Sequence, residues 1–477
     1  MSDEAAGRPP GFYAGVIALI ALGQVIFGTD FCAVSVALSS IAGDLHVAPA
    51  LMSWVVAIYS LTYAGFLVLG GRTADSYGRR RFCLLGLYLF GAGTLIAAAA
   101  ANVWMLIAGR ALEGLGSAFF IPTSFSLINV LLPDGPIRHR AFAVFSATQG
   151  LAMMLGLCGG GLLTTQIGWR AAFLITVPLV VAAIILSWRF IPPFEKPEKA
   201  ASLDIGGAIL ITLGVGVLLT SLSVMGEFGW LSSQGLETLA AACGLLLVFF
   251  VVESRVRKPL VPLSVFRHPN LLGADVASIG AMATTGGVFV LLNLFMQREL
   301  HFSAMLSGLG MLPYALAVMA AGRLVGHGMA RFPLRQCILV GFVVFIVGVI
   351  LFSMISPGGS YALYIAPAMI IAGLGSTVAT VLLMALSTAA VPSERQGVAT
   401  GVLITFQQIG MALGVSLALT VMSANLKQGA PLVQSLHGGF LAATGMAVFG
   451  FLSALLFTRK TAVSAGDLEA ASAEAAL

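Results

Sequence analysis

Long apolar stretches, separated by short polar connections, run along almost the whole chain. Fourteen of them have about 18 residues or more, the length that an α-helix needs to cross the hydrocarbon core of a bilayer. Ten-residue segments that alternate between apolar and polar side chains, as in membrane β-barrels, are absent. The pattern predicts an all-α polytopic membrane protein with helices at residues 13–41, 50–71, 82–101, 103–132, 139–166, 170–191, 205–226, 236–253, 270–297, 304–324, 336–355, 361–390, 397–425 and 438–458.

The composition agrees with this class. The mean hydropathy is +1.01 and 9% of the residues are charged, against about 25% in ordinary globular domains. The net charge of +5 comes from basic residues dispersed over short connections, so we expect the lipid bilayer and no nucleic acid as a partner. The cysteines lie in or beside apolar runs without the spacing of disulfides or metal sites, so we expect free thiols and no metal.

The basic residues also predict the orientation, because cytoplasmic connections of membrane proteins are enriched in Lys and Arg. With the N-terminus inside, the cytoplasmic segments hold 20 of the 24 basic residues, the outer loops hold 3, and Arg110 lies within predicted helix 4. We therefore expect a multi-pass protein of the cell membrane with both termini in the cytoplasm. The first apolar run has no small-residue cleavage site after it and is interpreted as a retained helix.

The two longest cytoplasmic connections, 192–204 and 254–269, bracket predicted helices 7 and 8 and leave six helices on each side. The predicted organisation is an N-terminal six-helix bundle (1–191), a linker with two additional membrane helices (192–269) and a C-terminal six-helix bundle (270–459). Residues 460–477 are small and acidic and are expected to form a disordered tail.

One polar segment, Gly70–Arg81 (GGRTADSYGRRR), separates predicted helices 2 and 3. Its charges place it at a membrane face, where it is predicted to form a short loop. Gly71 and Gly78 permit tight turning and close helix approach. Asp75 can accept hydrogen bonds from a helix N-terminus or pair with the neighbouring arginines.

Three charged residues lie well inside predicted helices, where charges are costly and are candidates for function. At a rise of about 1.5 Å per residue, Asp30 lies about 17 Å, Glu113 about 15 Å and Arg110 about 10 Å from the outer ends of their helices. The three are therefore predicted near one level. Two alternatives stay open, because Arg110 and Glu113 can neutralise each other on one helix and Asp30 can be a fixed packing carboxylate.

Six plus six helices with a basic loop after the second resemble the major facilitator superfamily. The signature loop of that superfamily is matched by Gly71, Arg72, Asp75, Gly78, Arg79 and Arg80. Gly109–Ile128 resembles the helix-4 motif of its drug:proton antiporters, and Gly150–Pro178 resembles their glycine-rich helix-5 motif with the following Trp-Arg turn. The additional central pair and Met52–Leu61 point to the fourteen-helix drug:proton antiporter branch.

Three positions depart from the pattern of this family. Leu157 stands where the helix-5 motif usually has proline, and Glu113 stands where helix 4 usually has glutamine. The second copy of the signature loop, Gly322–Arg335, keeps its basic residues but lacks the acidic one.

The resemblance implies roles for these residues. The signature-loop residues would form a cytoplasmic gate, or only set topology through their charge. Gly150, Gly156 and Gly160 would form a hinge in helix 5, or only allow close packing. Helices 1 and 4 line one cavity in this fold, so Asp30 or Glu113, modulated by Arg110, would couple proton entry to substrate export.

The substrate is less defined by the sequence. Polar residues inside otherwise apolar helices are candidate contacts, namely Tyr59, Gln149, Asn293, Gln407 and Gln408. Thirty Phe and 18 Met supply adaptable apolar surface for a small lipophilic molecule. The two carboxylates suit a cationic substrate, whereas Arg110 suits an anionic one.

The expected function is therefore proton-coupled export of lipophilic drugs or antibiotics by alternating access. We expect a monomer that uses protons as the coupling ion and needs no cofactor. Export of one endogenous metabolite or lipid, and proton-coupled import, are the alternatives. The sequence shows no catalytic constellation, so we expect no enzyme and no catalytic residues. It also has no nucleotide-binding G-x-x-x-x-G-K-[ST] loop, so we expect no direct drive by ATP.

Overall fold

A computed structural model describes residues 9–46, 49–133, 135–193, 205–256, 268–355, 360–389, 391 and 396–458. Within these residues the regular elements are all helical. They are α1 (Pro10–Asp44), α2 (Pro49–Tyr77), α3 (Arg79–Ala98), α4 (Val103–Leu131), α5 (Pro136–Met154), a π-helical turn (Leu155–Gly159), α6 (Gly160–Gln166), α7 (Trp169–Leu174), α8 (Val177–Phe190), α9 (Ile205–Phe228), α10 (Ser233–Arg255), α11 (Pro269–Arg298), α12 (Ala304–Gly310), α13 (Leu312–Arg331), α14 (Leu334–Phe352), a second π-helical turn (Tyr361–Ile365), α15 (Ala366–Ala389), α16 (Gln396–Lys427) and α17 (Leu432–Phe457).

Thirteen helical segments of the described chain are long and apolar enough to cross a membrane. The apolar helix α9 meets the same composition over a shorter stretch, Gly206–Leu222. The all-α polytopic class is therefore confirmed, whereas the number fourteen stays a prediction. The predicted tail at 460–477 lies outside the described residues.

The helices run back and forth between two ends of the bundle. At one end α2 and α13 finish and α3 and α14 begin, and this end carries Arg79, Arg80, Arg331 and Arg335. We call it the basic face and the other end the opposite face. The count of charges predicts that the basic face is cytoplasmic.

The prediction of a loop over Gly70–Arg81 is wrong in its extent. Residues up to Tyr77 continue α2 for about two more turns, and α3 begins at Arg79. Only Gly78 lies between the two helices, with φ of 110°. A residue without Cβ adopts this backbone conformation at little cost, so the chain reverses at one position and the polar residues stay helical.

The predicted N-terminal bundle corresponds to α1–α8 and the predicted C-terminal bundle to α11–α17. They meet chiefly along two helix pairs, α5 against α13 and α2 against α16. Glycines bring these backbones together. A Cβ at Gly150 would overlap the Ala315 carbonyl oxygen, and one at Gly401 would lie 2.8 Å from the Leu67 carbonyl oxygen. Any larger side chain would separate the bundles at these points.

Apolar side chains from both bundles close the basic face. Leu127 and Leu131 of α4, Leu383 of α15 and Leu403 of α16 are at most 5% exposed and belong to one contiguous cluster. The conformation described here is therefore closed at this end.

The additional pair α9–α10 covers the seam between the bundles, where α2 meets α16. Thr212 of α9 donates a hydrogen bond of 2.8 Å to the Gly65 carbonyl of α2, and the other contacts are apolar. The pair therefore touches both bundles, in agreement with its place between them in the sequence.

Candidate functional site

A cluster of three charged side chains lies buried between α1 and α4. Arg110 Nη1 donates to Asp30 Oδ2 at 2.5 Å and to Glu113 Oε2 at 2.6 Å. Arg110 Nε donates to the Val55 carbonyl of α2 at 3.3 Å. All three charged side chains are at most 1% exposed, so the residues that the sequence placed near one level meet, and Arg110 ties three helices together.

The charges of this cluster do not balance. Two carboxyl groups share one guanidinium, and Asp30 Oδ1 accepts no hydrogen bond within the described structure. The cluster is neutral only when one of the two carboxyl groups holds a proton. Because a net charge buried among apolar helices is costly, this neutral form is favoured while the cluster stays dry. Arg110 pairs with Glu113 on its own helix, as one alternative from the sequence had it, and it also pairs with Asp30 on α1.

Tyr59 forms one wall of the cluster. The Arg110 guanidinium lies 4.4 Å from the centroid of its ring, and its hydroxyl is 3.0 Å from Ser117 Oγ. Tyr59 is 4% exposed. The structure thus places this candidate substrate contact against Arg110, and its contact with substrate stays a prediction.

The glycine-rich segment predicted as a hinge packs against α1 beside Asp30. Thr29 Oγ1 donates to the Ala152 carbonyl at 3.2 Å, and a Cβ at Gly156 would lie 2.6 Å from the Thr29 carbonyl oxygen. Gly160 contacts Ala33 in the same way. Gly150, in contrast, faces α13 of the other bundle. These glycines therefore bring the segment from α5 through the π-helical turn to α6 against both α1 and α13.

Sequence reasoning missed the π-helical turn at Leu155–Gly159 in this segment. Such turns interrupt the regular hydrogen-bond pattern of a helix and are a recognised cause of kinks. Leu157 replaces the usual proline inside this turn, so the helix has an irregular site without proline. The run of glycines around Cys158 is the only signal in the sequence.

The residues predicted to form a gate contact helices of their own bundle. Arg79 pairs with Asp75 at 2.9 Å and donates to Ser126 Oγ of α4 at 2.5 Å. Arg80 donates to the Trp188 carbonyl at the end of α8 at 3.0 Å. Gly71 and Arg72 lie within the last turns of α2. The gating role itself stays a prediction.

The four other candidate substrate contacts are dispersed. Gln149, Gln407 and Gln408 are partly buried, and Asn293 is exposed with its Oδ1 accepting a hydrogen bond from Gln297 at 2.5 Å. In the described part of the chain no hydrogen bond joins any of them to the charged cluster. Their role in binding substrate stays a prediction.

Comparison with known proteins agrees with this geometry. Residues 20–415 match the sequence profile of the Major Facilitator Superfamily. The chain belongs to this superfamily. It is thus a membrane transporter rather than an enzyme.

Named relatives of this facilitator include the cephamycin export protein CmcT of Amycolatopsis lactamdurans, 34% identical over 92% of this chain and 90% of the relative. The puromycin resistance protein pur8 of Streptomyces alboniger is 31% identical over 87% of this chain and 82% of the relative. Among solved structures, the human organic anion transporter MFSD10 superimposes with a TM-score of 0.67, covering 94% of this chain and 100% of that one at 16% identity. This last likeness concerns the fold.

Sequence reasoning also missed one charged residue of this facilitator. Asp275 lies in α11, is 0% exposed, and accepts one hydrogen bond of 3.4 Å from Ser387 Oγ of α15. Its position six residues after Pro269, at the start of an apolar stretch, made it resemble a helix end. The sequence GADVASIGAM holds the signal, because apolar residues flank the acid on both sides.

An apolar cavity of about 540 Å³ lies where α9 and α10 meet α2 and α16. Its walls include Val68, Ile211, Phe249, Val402 and Phe406. None of its lining residues belongs to the charged cluster, and Thr405 is the one polar side chain among them.

Proposed function

We propose that this facilitator is a proton-coupled antiporter that exports small lipophilic antibiotics or drugs by alternating access. The observation that carries the proposal is the buried sharing of Arg110 by Asp30 and Glu113. The names of the relatives, a cephamycin exporter and a puromycin resistance protein, support antibiotics as the substrate class.

The chemistry of the cluster suits proton exchange. When one carboxyl group carries a proton, Arg110 neutralises the other and the cluster can stay dry. When water enters, both carboxylates can be ionised, because hydration removes much of the cost of a buried charge. A cycle that hydrates the cluster from each face in turn would load a proton outside and release it inside.

The packing of α1 supplies a route from helix movement to the cluster. Asp30 follows Thr29, whose side chain bonds to α5, and Gly156 touches the backbone at the same point. The π-helical turn begins one residue earlier. A change of curvature at this turn would therefore shift Asp30 relative to Arg110.

The test is transport in liposomes with an imposed pH gradient and a panel of cationic, anionic and neutral lipophiles. Asp30→Asn and Glu113→Gln are expected to lower proton-driven accumulation at least about ten-fold, the equivalent of about 1.4 kcal/mol. Exchange of substrate in the absence of a gradient should persist in both variants.

The matched control is Thr123→Val, an isosteric change at a buried position of α4 whose hydroxyl bonds only to the Phe119 carbonyl. It should accumulate substrate like the wild type. The proposal is wrong if both neutral variants still build a substrate gradient from the imposed pH gradient.

One observation favours a narrower exporter as the second candidate. Each of the two relatives is named after one antibiotic, cephamycin for the first and puromycin for the second. Transport of only one chemical class in the panel, with the same dependence on the two carboxylates, would favour this reading over a multidrug exporter.

A further inference from the structure

The C-terminal bundle contains a buried acid that has no partner of opposite charge. Asp275 Oδ2 accepts no hydrogen bond, and Oδ1 accepts only the 3.4 Å bond from Ser387. Both side chains are 0% exposed. In the described structure, therefore, two helices of this bundle meet across a carboxyl group that is almost unsatisfied.

Among the described residues, the helices packed around Asp275 offer no compensating charge. α11 packs against α12, α15, α16 and α17. Neither α12 nor α15 contains a titratable residue, α16 has only Lys427 at the opposite face, and α17 has only His437, which contacts the Ile355 carbonyl near that same face. On its own element, the nearest titratable group is His268, exposed before the helix begins.

An ionised carboxylate in such a place is costly, because the side chain is buried and no cation among the described residues compensates it. The neutral acid needs only modest hydrogen bonding and is compatible with the observed burial. The closed conformation therefore favours the protonated form of Asp275.

The place of Asp275 in the bundle differs from that of Asp30. α1 and α11 are the first helices of their bundles, and both begin at the basic face. Asp30 comes 20 residues after Pro10, or about 30 Å along its helix, whereas Asp275 comes six residues after Pro269, or about 9 Å. The two acids are thus far apart in depth and do not exchange a proton directly.

Asp275 lies instead at the level of the closure of the basic face. Its partner Ser387 is two residues from the end of α15, and Leu383, one turn earlier, belongs to the apolar cluster that joins the two bundles. Opening this face would admit water to α15 at the point where Asp275 meets it.

We propose that Asp275 is a second proton-binding site, carried by the C-terminal bundle, and that its proton keeps the basic face closed. On opening, the carboxyl O–H bond breaks, the proton passes to water on the basic face, and the carboxylate stays hydrated. Reclosure requires that a proton return. The inference rests on alternating access from the proposed function but not on Asp30, Glu113 or the nature of the substrate.

Infrared spectroscopy of the purified full-length protein tests the protonation itself. At neutral pH, the wild type should absorb more strongly than Asp275→Asn in the C=O stretching region of buried protonated carboxyl groups, and this difference should shift on H/D exchange. The proton shared by Asp30 and Glu113 contributes equally to both proteins. The matched control Ser278→Ala lies one turn along α11, where the hydroxyl bonds only to the Asp275 backbone carbonyl, and should absorb like the wild type. Identical absorption in Asp275→Asn would overturn the proposal.

Distances across the basic face test the consequence. Spin labels at positions 140 of α5 and 331 of α13, both exposed, report separation of the bundles in a background with the five cysteines replaced by alanine. The wild type and Ser278→Ala should open as pH rises, whereas Asp275→Asn should stay closed or open at a pH at least about one unit higher.

Asp275→Glu keeps a titratable acid and should keep the opening, which guards against a folding defect of the Asn variant. The same pH dependence of opening in wild type and Asp275→Asn would contradict the proposal. Because neither measurement uses transport, a failure of proton-driven export would leave this test intact, and the two proposals can fail separately.

Discussion

The first and fourth helices of the two bundles handle buried acids in opposite ways. In the N-terminal bundle, α1 and α4 bring two carboxyl groups to Arg110, so charge is compensated by charge. In the C-terminal bundle, α11 and α15 bring Asp275 to a serine hydroxyl alone. The first arrangement can exchange partners while it stays buried, whereas the second must be either neutral and dry or charged and wet.

The two corresponding segments at the basic face, Gly70–Arg81 and Gly322–Arg335, share one contact and differ in another. Arg80 at the start of α3 donates to the Trp188 carbonyl, and Arg335 at the start of α14 donates to the Leu455 carbonyl at 2.7 Å. Each arginine thus binds the negative end of the last helix of its bundle. Asp75, which pairs with Arg79, has no counterpart in Gly322–Arg335, so of these two segments that of the N-terminal bundle alone carries an acid.

The largest effect is expected from Arg110→Met, which removes the only positive charge from the cluster. Two buried carboxyl groups would then lack a partner, and breaking a buried pair in this way costs about 3–5 kcal/mol. Thermal unfolding of the purified protein should show a strongly lowered midpoint. Asp275→Asn is the contrasting variant, because it leaves no charge unpaired and should unfold within a few degrees of the wild type.

Equal losses in these two variants would contradict the contrast between the bundles. A wild-type midpoint for Arg110→Met would show that the cluster is hydrated and not dry. Arg110→Lys is a useful intermediate, since it keeps the charge but loses the planar donor pattern that reaches both acids.

The second largest effect is expected where α5 meets α1. A methyl group at Gly156 would lie 2.5 Å from Cys32 Cβ and 2.6 Å from the Thr29 carbonyl oxygen, so Gly156→Ala forces the helices apart beside Asp30. Overpacking of this kind costs about 1–3 kcal/mol, and transport should fall with the unfolding midpoint. Gly159→Ala is the matched control, because its nearest neighbour is the flexible end of Ile175 at 3.4 Å.

Equal transport by the two alanine variants would mean that the contact at Gly156 yields without moving Asp30. The separation of α1 from α5 would then not influence the charged cluster.

The sequence predicted the class of fold and much of the cluster, and the reasons are local. Apolar runs of membrane length leave few alternatives to helices, and Asp30, Arg110 and Glu113 interrupt such runs near their middle. Asp275 escaped because it lies near a helix start, where a polar residue is ordinary. The helical extension of α2 to Tyr77 escaped because polarity indicates a membrane face but not the backbone conformation there. The π-helical turn has no periodic signature, since it adds one residue to a single turn.

A smaller effect is expected from Asp75→Asn, which tests the difference between the basic segments of the two bundles. The change removes an ion pair with Arg79 whose side chains are 11% and 3% exposed, so the midpoint of unfolding should fall. The fall should be smaller than for Arg110→Met, because Arg79 keeps its hydrogen bond to Ser126 Oγ. If Asp75 acts as a latch, turnover in liposomes should fall about five-fold, the equivalent of about 1 kcal/mol. Arg81→Gln, an exposed charge at the same face, is the control and should turn over normally. If the charged residues of this segment only set the topology, both variants should stay active.

The smallest effect is expected at the opposite face, where Asp44 joins the end of α1 to the start of α7. Its carboxylate accepts hydrogen bonds from Arg170 at 2.8 Å and from the Trp169 indole at 3.0 Å. These bonds, first that from Arg170 and then that from Trp169, hold the pKa of Asp44 below its ordinary value of 3.8. A lowered pKa means that the contact stabilises the fold above that ordinary value and that the stabilisation disappears as the pH falls through the lowered one. Asp44→Asn should therefore lower the unfolding midpoint by a few degrees at most at pH 7, and the difference from wild type should vanish in acid. A difference that grew with acidification would show that Asp44 is not held as a carboxylate by these two donors.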